Sequence, residues 1–64
     1  MCESNAYIRR GDGDEEPLLA DVAKVTTEGE YITLTGILGN TIRLKAALVE
    51  FDLMGHRLLL RELR

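Results

Sequence analysis

The sequence has a single cysteine, a single proline and no tryptophan, and these shortages exclude several classes of protein. One cysteine cannot form an internal disulfide, so the chain is not a disulfide-stabilised scaffold. No apolar run approaches the roughly 20 residues that span a bilayer, and the N-terminus lacks the basic start and apolar stretch of a signal peptide. We therefore expect a cytoplasmic protein, without a membrane partner, whose thiol stays reduced.

Aromatic residues and positive charge are also scarce. The aromatic residues are Tyr7, Tyr31 and Phe51, too few for a base-stacking surface. Lys plus Arg number 8 against 11 Asp plus Glu, and the net charge of -3 has the wrong sign for binding phosphates. We interpret the basic residues as a solubilising face balanced by Glu3, Glu50 and Glu62, and nucleic acid is not an expected partner. The basic residues that could gather into one patch are Arg9, Arg10, Arg43, Lys45, Arg57 and Arg61.

Short alternating runs separated by turn residues make up the rest of the chain. Strands are predicted over residues 2–9, 18–27, 31–35, 42–52 and 56–61, with Ile8, Ile32 and Leu34 facing inward. Residues 11–17, with two glycines, four acids and the proline, are predicted to form a solvated loop. The alternation slips between Leu19 and Val25, which indicates a β-bulge or bend.

These signals predict one all-β domain over residues 1–64: a small SH3-like barrel or a curled antiparallel sheet of five or six strands. A helical turn at residues 46–50 is the weaker alternative for that stretch. A chain of 64 residues buries only about 60% of the surface that its unfolded form exposes. Because so small a core gives marginal stability, we expect the chain to associate with a second copy.

The position of Cys2 is the feature with the most chemical content. A thiolate one peptide bond from the N-terminal amine can form a chelate with a nitrogen donor and hold a late transition metal. The structural alternative is burial, because Cys2 shares a strand face with Ala6 and Ile8 and free cysteine is often buried. The spacing alone leaves both interpretations open.

Several segments together resemble the CooT family. They are the opening Met1-Cys2-Glu3-Ser4, the pair Asp21-Val22 after Leu18-Leu19, the turn Glu28-Gly29-Glu30, the segment Ile37-Leu38-Gly39 and the late segment from Asp52 to Arg57. These are small proteins sometimes labelled predicted RNA-binding, and one member serves as a nickel metallochaperone for carbon monoxide dehydrogenase. The resemblance implies an SH3-like barrel, a homodimer, a nickel enzyme as metal recipient, and one Ni(II) shared by Cys2 of both copies.

Two copies related by a two-fold axis would supply two sulfurs and two nitrogens, a set that suits square-planar Ni(II). The nitrogen is expected to be the Cys2 amide, aided by the Met1 amine; removal of Met1 would instead leave the amine of Cys2 itself. His56, the only histidine, is a secondary ligand candidate. The function predicted is a metallochaperone or metal reservoir and not an enzyme.

Other chemistry lacks support in the sequence. The acids at residues 12–16 do not form an EF-hand loop, because Pro17 and Ala23 stand where that loop needs glycine and glutamate. Ser4 has no histidine and acid placed for nucleophilic catalysis. The alternative function is a small RNA-binding or protein-interaction barrel in which Cys2 is incidental.

Overall fold

The chain, described by a computed structural model over residues 4–11 and 13–63, forms a closed five-stranded barrel. The strands are β1 (Ser4–Arg10), β2 (Asp14–Glu28), β3 (Tyr31–Gly36), β4 (Thr41–Asp52) and β5 (Arg57–Glu62). The predicted all-β fold is confirmed, and residues 46–50 belong to β4 instead of a helical turn. No helix in the described part of the chain could cross a membrane.

The barrel closes through a parallel pair of strands. β1 pairs with β5 in parallel, from Asn5 opposite Arg57 to Arg9 opposite Arg61, whereas the other four neighbouring pairs are antiparallel. An odd number of strands that alternate in direction leaves the first and last running the same way. The pair of strands that closes this barrel is therefore parallel. The other four pairs have the antiparallel arrangement that the sequence predicts.

The two long strands each serve two neighbours. β2 pairs with β1 through its first half and with β3 through its second half, and the register shifts around Val22. β4 pairs with β3 through residues 41–45 and with β5 through residues 46–52, with a shift between Leu48 and Glu50. The bulge predicted between Leu19 and Val25 is confirmed, and it is the bend that passes β2 from one neighbour to the other.

The loop predicted over residues 11–17 is wrong for its second half. β2 begins at Asp14, and Glu15 and Pro17 lie opposite Arg9 and Tyr7 of β1. Two of the acids that indicated a solvated loop, Glu15 and Glu16, instead form cross-strand ion pairs with Arg9 at 3.4 Å and with Arg10 at 2.9 Å. Opposite charges across a ladder favour pairing, so the turn contracts to the residues around Gly11 and Gly13, both with positive φ.

The core is formed by the inward faces of all five strands. Ile8, Ile32 and Leu34 are buried as predicted, and Leu34 and Leu60 have no exposed surface. The full cluster comprises Ala6, Ile8, Val22, Ile32, Leu34, Ala46, Leu58 and Leu60, with Leu18, Leu19, Val25 and Leu44 packed against it. Burial of this apolar surface is the main stabilising contribution to the fold.

The second half of β4 leaves part of the inward face uncovered. Leu48 lies opposite Leu60 and Phe51 opposite Leu58, so both point toward the core side of the sheet. Nevertheless Leu48 is 44% exposed and Phe51 is 50% exposed. The ring of strands is closed, but β3 pairs with β4 only as far as Lys45, so the second half of β4 has an edge without a β3 partner, here called the open part of the barrel wall.

Candidate functional site at the start of strand β1

Strand β1 begins between β2 and β5. Ser4, two residues after Cys2 in the sequence, lies opposite Val22 of β2, and Asn5 lies opposite Arg57 of β5. The predicted ligands Met1 and Cys2 fall outside the described residues. Ser4 and Asn5 are therefore the part of the structure that fixes where the N-terminal segment joins the barrel.

Asn5 connects the start of β1 to three other parts of the chain. Its backbone N–H donates to the carbonyl oxygen of His56, with an N···O distance of 2.9 Å. Its side-chain Oδ1 accepts from the backbone N–H of Asp21 at 3.2 Å. The carbonyl oxygen of Asp21 accepts in turn from the N–H of Ile37 at 3.0 Å. The β3–β4 turn, the bend of β2 and the β4–β5 turn are thereby joined around one residue.

Both residues that contact Asn5 have a left-handed backbone. Asp21 has a φ of 55° and His56 a φ of 56°, and among described residues they are the only ones other than glycine with positive φ. This conformation costs of order 1 kcal/mol or more for a residue with a Cβ, although Asp and His adopt it more often than most. Such strain persists where surrounding contacts determine it, and here it accompanies the hydrogen bonds of Asn5 with Asp21 and with His56.

His56 lies beside β1, but through its backbone. The expectation that the first and last strands are neighbours is confirmed by the β1–β5 pairing. The side chain of His56 is exposed, and within residues 4–11 and 13–63 no group of three His, Cys, Asp or Glu side chains could hold a metal. Ligation by His56 stays a prediction, and the described residues do not by themselves supply a multidentate site.

An apolar hollow adjoins the start of β1. It has a volume of about 270 Å³ and lies between the bend of β2 and the open part of β4. Its lining includes Ser4, Val22, Val25, Phe51 and Leu58. Phe51 is 50% exposed, although its side chain lines this hollow. The segment that precedes Ser4 thus joins the barrel next to uncovered core side chains.

The basic residues are engaged with carboxylates. Arg57 donates to Glu15 at 2.6 Å and stacks over the Tyr7 ring, with its guanidinium carbon 4.7 Å from the ring centre. The hydrogen bond from Arg57 lowers the pKa of the Glu15 carboxyl, despite partial desolvation, and the charges of Arg57 and Arg9 add to the effect. The other ion pairs among residues 4–11 and 13–63 are Arg9–Glu15, Arg10–Glu16, Arg10–Glu62, Arg43–Glu28 and Lys45–Glu30.

This pairing supports the interpretation of the basic residues as a balanced, solubilising surface. Glu62 was predicted to balance the basic residues, and it forms an ion pair with Arg10. The carboxylates of the other ion pairs, such as Glu15, Glu28 and Glu30, belong to β2 and the β2–β3 turn. The rings of Tyr7 and Tyr31 lie under the guanidinium groups of Arg57 and Arg43. A guanidinium held by a carboxylate and a ring is a weak binding group for a phosphate backbone.

Sequence reasoning singled out Cys2, whose role stays a prediction, and missed the contacts of Asn5 and Asp21. The signal for Asp21 was present, because aspartate after an apolar pair is a residue type that tolerates the left-handed conformation. Asn5 carried no such signal, since it occupies an ordinary outward position of an alternating strand. Its importance comes from contacts with residues 16 and 51 positions away in the chain.

Comparison with known proteins identifies the family of this barrel. The family model for CooT, described as the carbon monoxide dehydrogenase accessory protein CooT, matches residues 1–61. A crystal structure of a candidate CooT from Carboxydothermus hydrogenoformans superposes with a TM-score of 0.87 at 35% sequence identity, covering 98% of this chain and 100% of that one. An uncharacterised protein of Archaeoglobus fulgidus is 36% identical over 42 residues, 66% of this chain and 93% of the relative.

Proposed function

Because the chain belongs to the CooT family of carbon monoxide dehydrogenase accessory proteins, we propose that it is a homodimeric Ni(II)-binding metallochaperone or nickel reservoir. One Ni(II) is held between two copies by Cys2 of each. The protein carries nickel as cargo for a nickel enzyme such as carbon monoxide dehydrogenase, and it is not itself an enzyme.

The observation that carries this proposal is the match of the family model to residues 1–61, which include Cys2. The described residues add a second argument, since they contain no three-residue cluster of metal-binding side chains. A transition-metal site on this chain therefore draws on the N-terminal segment, where the single thiol stands, and on a second copy.

The donor set suits nickel chemically. Two thiolates and two nitrogens from a pair of N-terminal segments give four donors, which a square-planar ion accepts. The nitrogens are those of the Cys2 amide or the Met1 amine. Since the thiols ionise when they bind metal, binding releases protons and weakens as the pH falls. Separation of the two copies removes half of the donors, which provides a route to release.

The alternative is a small RNA-binding or protein-interaction barrel in which Cys2 is incidental. The net charge of -3 and the carboxylate partners of the basic residues argue against phosphate binding. The two functions differ in their response to salt, because phosphate contacts weaken steeply with ionic strength whereas a thiolate chelate responds mainly to pH.

A competition titration with a coloured nickel chelator tests the proposal. Wild-type protein and His56→Ala should both withdraw Ni(II) from the chelator, and Cys2→Ser should fail to do so while keeping the wild-type circular dichroism spectrum. Equal withdrawal by Cys2→Ser and wild type would remove Cys2 from the site. RNA binding at moderate salt by a wild-type protein that takes up no Ni(II) would establish the alternative.

A further inference from the structure

The second half of β4 is an edge of the sheet, and we propose that it binds an extended segment of a partner protein by strand addition. This edge, called the β4 edge, comprises residues 46–52. The bound segment carries apolar side chains that alternate with basic ones. The proposal does not depend on nickel binding or on the residues before Ser4.

The backbone of the β4 edge is exposed on the side where β3 ends. Among the described strands, β3 pairs with β4 only up to Lys45, and residues 46–52 pair on their other side with β5. The N–H of Ala46 still donates to the carbonyl oxygen of Glu30 at 3.0 Å. Since the backbone groups of alternate residues point to the same side of a strand, those of Leu48 point past the end of β3. They offer a donor and an acceptor to an incoming strand.

Apolar side chains on the core side of the β4 edge determine one face of the bound segment. Leu48 and Phe51 lie opposite the buried Leu60 and Leu58, so both point to the core side although the register shifts at Val49 between them. Both are nevertheless about half exposed. A strand that is added beside them with apolar residues on the same face continues the core and covers both side chains.

Acidic side chains on the outer side determine the other face of the bound segment. Glu50 and Asp52 lie opposite Leu59 and Arg57 of β5, and residues 46–52 contain no lysine or arginine. Opposite charges on neighbouring strands stabilise their pairing, so basic side chains fit this face. Two copies of the β4 edge would bring their acids together, which disfavours a second copy as the occupant.

The other edge of the sheet is protected against strand addition. Residues 14–20 of β2 pair with β1, whereas the pairing of β2 with β3 begins only at Val22. This edge contains Pro17, which has no N–H to donate, and three acids at residues 14–16. Proline and charge are devices by which edge strands avoid pairing. The β4 edge has a bulge but no proline, and its core-side residues are apolar, so it is the edge that accepts a partner.

Titration of the wild-type protein with a synthetic peptide tests the proposal. The probe alternates valine and lysine and is as long as residues 46–52, and a peptide that alternates valine and glutamate is its control. The valine–lysine peptide should shift the amide NMR signals of Leu48, Glu50 and Phe51 until they saturate, and the control should not. Absence of a saturable shift, or shifts confined to residues outside the β4 edge, would overturn the proposal.

Charge reversal on the protein tests which acids the peptide contacts. Glu50→Lys should raise the dissociation constant of the valine–lysine peptide by about fivefold or more, and it should allow the valine–glutamate peptide to bind. Glu28→Lys is the matched control, because Glu28 is an exposed acid outside the β4 edge, and it should change the dissociation constant by less than about twofold. Equal weakening by the two variants would mean a general attraction between charges and would contradict the proposal.

Backbone methylation of the peptide separates strand addition from binding through side chains alone. In an alternating peptide, methyl groups on the valine nitrogens remove the donors of one edge, and methyl groups on the lysine nitrogens remove those of the other. Only one of these edges faces β4 in a ladder. One methylated peptide should therefore lose binding while the other keeps it. Binding of both would exclude a ladder with the β4 edge.

Discussion

At the scale of single residues, Asn5 determines how the start of β1 is held. Its side chain accepts from Asp21 and its backbone donates to His56, and both of these residues have a strained left-handed backbone. The strain is tolerated because the hydrogen bonds leave the two turns little freedom. A residue three positions after Cys2 in the sequence is therefore held on both sides, by the bend of β2 and by the β4–β5 turn.

Asn5→Ala should lower the free energy of unfolding by about 0.5–1.5 kcal/mol, the usual net contribution of one hydrogen bond. Asn5→Asp is the control, since it keeps an oxygen in place to accept from Asp21. Urea denaturation followed by circular dichroism measures both. Equal losses in the two variants would show that the side-chain oxygen is not what stabilises this junction.

Glu15 makes stability depend on pH in the acid range. Its pKa is lowered in the folded state, first because Arg57 donates a hydrogen bond to the carboxylate. A group whose pKa is lowered by folding stabilises the protein above its ordinary value of 4.5, and this contribution is lost as the pH falls through the folded-state pKa.

The melting temperature of Glu15→Gln should therefore lie below that of wild type at neutral pH, and the difference should shrink as the pH falls below 4.5. In an Arg57→Gln background the same comparison should show a smaller difference at neutral pH. Thermal melts between pH 7 and pH 3 in about half-unit steps provide the test. A difference that stays constant across this range would exclude the ion pair as its cause.

At the scale of elements, one cross-strand pair shows where the barrel is complete and where it is open. Leu60 of β5 and Leu48 of β4 lie opposite each other, yet Leu60 is fully buried and Leu48 is 44% exposed. Leucine-to-alanine substitution removes the same atoms at the two positions. The difference between the two losses of stability therefore measures how much better Leu60 is covered than Leu48.

Leu60→Ala should cost about 2–5 kcal/mol because it leaves a cavity in the core, whereas Leu48→Ala should cost much less. A domain of this size has only a few kcal/mol of stability, so Leu60→Ala brings the chain close to unfolding. Urea denaturation of the two variants at one protein concentration makes the comparison. Equal costs would mean that Leu48 is covered in solution to the same extent as Leu60.

Most of the strands could be predicted from the alternation, because Ile8, Ile32 and Leu34 mark faces that are buried in the barrel. The exception was the acidic stretch before Pro17, whose composition is typical of a loop. Its strand is stabilised by arginines on β1, and sequence position alone does not reveal that register. Cys2 could be singled out from sequence, whereas the contacts of Asn5 depend on the closing of the barrel.

At the scale of the whole molecule, the barrel is polarised from end to end. The most exposed large apolar side chains, Leu38, Leu53 and Met54, lie in the two turns beside the start of β1, whereas ion pairs such as Arg9–Glu15 and Arg10–Glu16 lie near its end. In the proposed function, each of two copies supplies one thiolate to a shared ion, so the ion binds the pair of copies more tightly than it binds one copy. We therefore expect association and nickel binding to favour one another.

The most direct test of the central claim is an ultraviolet–visible titration of the wild-type protein with Ni(II). We predict thiolate-to-metal charge-transfer bands that grow linearly and stop at one Ni(II) per two chains, with Cu(II) and Zn(II) titrated in parallel to compare ligand geometry. Cys2→Ser should give no such bands. Saturation at one Ni(II) per chain, or identical spectra from wild type and Cys2→Ser, would contradict a nickel site shared by two copies of Cys2.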